Sequence, residues 1–221
     1  MINVDDYLEK LVNLLKRRFG ANLLYVGLQG SYLRCEATET SDIDIMVVLD
    51  QLTAEDLTTY RSSIQSLDYA DKSCGFICSK TDLLHWNPLE MCHILHTTKD
   101  YFGILSELLP EYTDLDIRNF VKLSINNLYH EICHRYIHSE ENRDISKLTG
   151  SYKSTFFILQ NLYYLKHRIF AATKAELLLL LKGKDHAVLE RSVELSAGFV
   201  LDFDESFDLL LTWCQNTLCS L

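Results

Sequence analysis

GSYLRCEATETSDIDIMVV, residues 30–48, joins a Gly-Ser step to an Asp-Ile-Asp triplet set in an apolar run. From Asp42 to Leu49 β-branched and long apolar residues dominate and neither Gly nor Pro interrupts them, a pattern that predicts a strand. A strand turns successive side chains to opposite faces. Ile43, Ile45, Val47 and Leu49 therefore share one face, and Asp42 and Asp44 the other, above Met46 and Val48. The two aspartate Cα atoms are then about 6.5 to 7 Å apart, and at an effective dielectric of about 20 their charges repel by about 2 to 2.5 kcal/mol. A cation between them removes that cost. Mg²⁺, or Mn²⁺, fits, because a hard divalent ion takes one or two carboxylates together with the phosphates of a nucleotide. An isolated Asp-x-Asp more often marks a capped turn and a solvated edge strand, so the second half of the stretch decides the matter.

Leu23–Leu28 is another apolar run, and it ends at Gln29-Gly30-Ser31, where a strand should pass into a tight turn or a short helical turn. Gly30 allows positive φ or close approach of a ligand. Ser31 offers a hydroxyl and an amide to a phosphate. A strand, a phosphate-binding turn and a returning strand with two carboxylates would bring both halves of a metal-nucleotide site to one sheet end.

Gly30-Ser31, ten intervening residues, and Asp42-Ile43-Asp44 between apolar neighbours resemble the signature of the DNA-polymerase-β-like nucleotidyltransferase superfamily. The likeness is closest to its aminoglycoside and minimal members with a C-terminal helical domain. It implies Mg²⁺-dependent (or Mn²⁺-dependent) transfer of a nucleoside monophosphate from a nucleoside triphosphate, ATP in the first instance. The acceptor would be a hydroxyl of a small molecule such as an aminoglycoside-like antibiotic. It also implies roles for particular residues: Gly30, Ser31, Arg34 and Lys153 on the nucleotide, Asp42 and Asp44 as catalytic metal ligands, and Glu131 as general base. Arg34 matches the loop arginine of the minimal enzymes, whereas Cys35 stands where they carry glycine. The family pattern includes a third carboxylate on a later strand. Cys74–Ser79 has none, and Glu90, between Leu89 and Met91, is the nearest acid in an apolar, strand-like context and is taken as the third metal ligand. Asp68, Asp71, Asp82 and Asp100 read as turn or cap residues. The alternatives are a degenerate binding or regulatory module of the antitoxin type on the same fold, and a protein adenylyltransferase.

Bulk properties agree with such an enzyme. A chain of 221 residues with 48% hydrophobic content can bury one large core or two small ones. A net charge of −10 argues against a general nucleic-acid or anionic-membrane binder, which needs basic patches. The expected partners are a nucleoside triphosphate and a small hydroxyl-bearing acceptor, with a homodimer admissible. Seven scattered cysteines read as free thiols of a reducing, cytoplasmic compartment. Three acids among the first nine residues do not suit a secretory signal, and the Leu177–Leu181 run is far short of a membrane span of about 20 residues.

Periodicity sets the expected organisation. Val4–Phe19 carries a helical stripe closed by Gly20. Thr53–Leu67 opens a helix with Thr53 as N-cap and acids in its first turn. Gly75–Ser79 reads as a third strand, Thr81–Trp86 as a helical turn capped by Thr81, and Leu89–Leu95 as a fourth strand. Beyond Pro110 the patterns are helical, at Asp114–His138, Ser151–Phe170, Lys174–Leu181, His186–Leu195 and Asp204–Leu218. The fold class is α+β, with a small mixed-sheet nucleotidyltransferase domain over residues 1–110 and a helical substrate-binding bundle over residues 111–221.

Two features of the second half carry chemistry of their own. His130-Glu131-Ile132-Cys133-His134 is a literal His-Glu-x-x-His, the helix signature of zinc peptidases. The metzincin continuation is absent, however, and Glu140 and Glu141 are too near for a third ligand. His130, His134 and His138 fall on the side of the helix away from the stripe Ile117, Val121, Ile125, Leu128 and Ile132. Gly150-Ser151 reads as a loop and N-cap, which would set Lys153 in a first helical turn, where free amides already favour a phosphate.

Overall fold

The computed structural model describes residues 2–138 and 146–221, and the chain divides into two compact units, Met1–Glu111 and Tyr112–Leu221. The N-terminal unit opens with α1, Val4–Phe19. Asn3 caps it by accepting from Asp6 N, and Gly20, at φ +54°, stops it by donating to Lys16 O. Four strands follow in a mixed sheet: β1 Leu23–Leu28, β2 Ile43–Leu49, β3 Ser73–Ser79 and β4 Lys99–Phe102, in the order β3-β2-β1-β4. β1 is antiparallel to β2 and β4, whereas β2 and β3 are parallel.

β2 is covered on both faces, which accounts for its unbroken apolar run. Ile43, Ile45, Val47 and Leu49 pack with Leu8, Leu11 and Leu15 of α1. Met46 and Val48 lie in a second cluster with Tyr25, Cys78, Leu83 and Leu105. Between β1 and β2 lies a single short helix, α2, Gly30–Leu33. A parallel pair needs a crossover, and α3, Ala54–Gln65, lies in the connection from β2 to β3. Thr53 and Asp56 form its capping box.

Two sequence expectations in this unit need correction. The helical turn α4, Lys80–Leu84, is capped by Ser79, which forms a capping box with Asp82; Thr81 lies inside it. Leu89–Leu95 is not a strand but part of α5, Pro88–His96, whose start is set by the Asn87 cap and by proline in the first turn. That pair is a strong helix-start signal, and it outweighs the apolar run that follows. The fourth strand is the more polar Lys99–Phe102, held to β1 by the Gly27–Asp100 register and by Tyr25 Oη donating to Asp100 Oδ1 at 2.6 Å.

The C-terminal unit consists, among the described residues, of α6 Asp114–His138, α7 Ser146–His167, α8 Lys174–Leu180, α9 Gly183–Ser196 and α10 Phe203–Ser220. The stripe Ile117, Val121, Ile125, Leu128 and Ile132 is buried as its spacing predicts. It packs into one core with Tyr152, Phe156, Leu159, Leu189, Leu210 and Trp213. Two buried polar groups in this core are paired: Tyr152 Oη donates to Ser206 O at 2.6 Å and Ser192 Oγ to Tyr152 O at 2.9 Å.

A third correction falls here. α7 begins at Ser146 and runs through Gly150, so Ser151 is not an N-cap and Lys153 is not in a first turn. A glycine inside a helix costs about 1 kcal/mol against alanine. Leu148, Tyr152, Phe156 and Leu159, all buried, offset that cost by packing one face of the helix. No helix among the described residues is long and apolar enough to cross a membrane.

Candidate active site

The turn after β1 is shaped around one carboxylate. Gly30 adopts φ +71°, and a Cβ built on it would collide with the carboxylate of Asp44. Glycine is required there twice, once by backbone conformation and once by space. Gln29 N donates to Asp44 O at 2.8 Å, so turn and strand are tied through the backbone as well. Ser31 lies in α2, and its carbonyl accepts from Glu36 N at 2.9 Å.

Asp44 is the second residue of β2 and is half-buried; Asp42 precedes the strand and is exposed. Burial is the main reason the Asp44 carboxyl sits above its ordinary pKa. The charge of Asp42 pushes in the same direction, and the Arg34 guanidinium opposes both. A partly desolvated carboxylate with a like charge beside it has reason to bind a cation. Asp42 and Asp44 are two hard oxygen ligands, and Mg²⁺ commonly takes one or two carboxylates with phosphate oxygens completing its shell. The residues present therefore fit that ion.

Arg34 closes α2, and its Nε donates to Glu36 Oε2 at 3.0 Å. Its charge also reaches His93, whose pKa is lowered to about 4, chiefly by burial and next by Arg34. His93 is thus a neutral imidazole near neutral pH, beside the charges of the loop. A strand reading of Leu89–Leu95 hides it, whereas the Asn87-Pro88 signal would place it in the second turn of a helix.

Cys35, where the resembling enzymes carry glycine, takes the left-handed conformation at φ +57°. A Cβ in that region costs about 1–2 kcal/mol. Cys35→Gly should therefore stabilise the chain by about 1 kcal/mol, part of the gain being offset by the entropy of the unfolded glycine. A higher urea midpoint at unchanged slope checks this, and an unchanged or lower midpoint contradicts it. Beyond Cys35 the loop is tied to itself, Thr38 N donating to Ser41 Oγ at 2.8 Å, and to the segment before β3, Lys72 Nζ donating to Glu39 O at 3.2 Å.

The third-carboxylate position is filled differently from the expectation. Glu90 lies in the first turn of α5, exposed, and accepts from Trp86 Nε1 at 2.8 Å. Its assignment as a strand-borne metal ligand loses its basis. The β3 residue in register with Asp44 is Cys74, an exposed free thiol. Asp82 completes the capping box of α4, Asp71 lies in a single 3-10 turn, and Asp100 accepts from Tyr25.

Glu131 and Lys153 belong to the C-terminal unit. Glu131 Oε1 accepts from Ser151 Oγ and from Arg135 Nη2, each at 2.8 Å. Lys153 is exposed within α7. His130, His134 and His138 are exposed along α6, with ring centroids 6.2 and 4.6 Å apart in turn. Among the described residues no three His, Cys, Asp or Glu side chains are placed to hold a metal. The His-Glu-x-x-His stretch therefore has no zinc-ligand set there, and Glu140 and Glu141 lie outside the described residues.

Residues 8–86 match the family described as a nucleotidyltransferase domain. The chain is similar to the crystal structure of spectinomycin adenyltransferase AAD(9) from Enterococcus faecialis with ATP and spectinomycin. The two share 15% identity over 97% of this chain and 98% of that chain, with a TM-score of 0.60. At that identity the likeness speaks for the fold. Comparison with curated proteins finds no match.

Proposed function

We propose, for a chain that carries a nucleotidyltransferase domain over residues 8–86, that it moves a nucleoside monophosphate from a nucleoside triphosphate, ATP in the first instance, to a hydroxyl of a small molecule. An aminoglycoside-like antibiotic is the proposed type of acceptor, and a similar fold that binds ATP and spectinomycin supports that choice. The observation that carries the reading is the Asp44 carboxylate seated on Gly30, with Asp42 two residues before it, just ahead of the same strand.

In this reading Asp42 and Asp44 hold Mg²⁺. The bound ion would supply charge neutralisation for the triphosphate and for the charge that develops during transfer. The backbone of Gly30 and Ser31 receives phosphate oxygens, close to the carboxylates because Gly30 has no side chain to hold them apart. Arg34 adds positive charge to the loop, and Lys153 enters as an exposed cation only. The acceptor oxygen attacks the α-phosphorus, the bond from that phosphorus to the bridging oxygen breaks, and pyrophosphate leaves. Glu131, its orientation fixed by Ser151 and Arg135, is the proposed recipient of the hydroxyl proton. Most of the rate comes from positioning.

Cys74 beside Asp44, where an acid would strengthen the metal site, favours a second reading in which the fold binds nucleotide without transferring it. Calorimetric titration with ATP separates binding from failure to bind. We expect one saturable site with Mg²⁺ present, weakened at least about tenfold by Asp42→Asn or by omission of the metal. Equal affinity with and without Mg²⁺ contradicts the assignment of the carboxylates.

A further inference from the structure

The C-terminal unit holds a cavity of about 340 Å³ between the second half of α7, the end of α8 and the start of α9, a volume within the range of small-molecule sites. Its floor is apolar: Leu159, Leu162 and Leu181 are buried and line it. Its rim is basic. Lys166 and Lys182 line it and are exposed, and the His167 ring lies tilted by 34° against the lining ring of Tyr163 with centroids 4.3 Å apart.

One acid lines the cavity, and it is engaged. Asp185 Oδ1 accepts from the indole of the buried Trp213 at 2.7 Å. Neither Lys166 nor Lys182 forms an ion pair among the described residues. In a chain with 31 acids against 21 lysines and arginines, two lysines over a leucine floor run against the overall charge. The cations therefore set a local preference opposite to that of the surface as a whole.

We propose that this cavity binds a small organic acid, its compact apolar body on the leucine floor and its anionic head held by Lys166 and Lys182. None of Gly30, Asp42 and Asp44 lines the cavity, so binding there does not depend on nucleotide chemistry. Charge-assisted contacts to two lysines would supply the selectivity, and leucine burial the larger part of the affinity.

Titration calorimetry of the full chain with 4-phenylbutyrate, and with 4-phenylbutylamine as the cationic counterpart of the same body, tests the site. The acid should bind at one saturable site, about tenfold or more tighter than the amine. The double variant Lys166→Glu/Lys182→Glu should weaken the acid by about tenfold or more, while Asp44→Asn leaves it unchanged. Leu180→Trp, which fills the cavity from its partly exposed edge, should weaken both compounds. If circular dichroism shows the double variant unfolded, Lys166→Gln/Lys182→Gln carries the same expectation. Absence of saturable binding by the acid, equal binding of acid and amine, or undiminished binding by a folded lysine variant overturns the proposal.

Discussion

Asp44→Asn should abolish transfer, by at least about a thousandfold, and at the same time raise the melting temperature at pH 7. The two effects have one cause. Burial and the charge of Asp42 lift the Asp44 pKa above its unfolded value, so the folded state holds that proton more tightly than the unfolded chain. Such a group stabilises the fold below the unfolded pKa, and the contribution is lost as pH rises through the folded pKa. At neutral pH the ionised carboxylate is a cost that a bound cation relieves, and a neutral amide of the same shape removes it outright. The gain in Tm should shrink as pH falls into the carboxylate range, because protonated Asp44 is also neutral. Melting curves of both proteins between pH 4 and pH 8, without metal, check this; a lower Tm for the variant at pH 7 would show that Asp44 is a structural residue. Activity should move the other way with pH, rising as Asp44 ionises.

Gly30→Ala should lower stability and activity together. The φ of +71° costs a Cβ-bearing residue about 1–2 kcal/mol, and the added methyl collides with the Asp44 carboxylate. Either the turn or the carboxylate must shift, and a displacement of about 1 Å at a reacting centre can cost about a hundredfold in rate. A double-mutant cycle separates the two contributions. In an Asp44→Ala background the collision with the carboxylate is gone, while a tight 3.0 Å contact with the Cβ of residue 44 and the conformational cost remain, so Gly30→Ala should be less damaging to stability there than in the parent. Equal losses in both backgrounds would mean that Gly30 acts through φ alone and that the carboxylate contact is incidental.

These residues were readable because their constraints are local. The pleat gives β2 a period of two, and a run of apolar residues at odd and even positions must be covered on both faces, as Ile43 and Met46 are by separate clusters. The Gly30-Ser31 step after an apolar run, with Asp42 and Asp44 opening the next, locates a turn and a strand end that have to meet. The α6 stripe was equally plain over 25 residues. The misreadings came from short or balanced signals. Leu89–Leu95 carries apolar residues in both periods, and only the Asn87-Pro88 start separates helix from strand. Gly150-Ser151 has the composition of a loop and N-cap, yet the packing of Leu148 and Tyr152 carries the helix through it, a tertiary effect that composition does not contain. That Cys74 and not an acid stands beside Asp44 became specific only with the parallel register that brings it there, because strand pairing is not local in sequence.

The most direct measurement is transfer of label from ATP carrying ³²P at either the α or the γ position, with Mg²⁺ and a panel of aminoglycoside-type acceptors. Nucleotidyl transfer predicts that α label moves to an acceptor with release of pyrophosphate, that γ label appears only in pyrophosphate, and that Asp44→Asn abolishes both. Movement of γ label to the acceptor, or tight binding of Mg-ATP with no transfer of α label to any acceptor, would contradict the account.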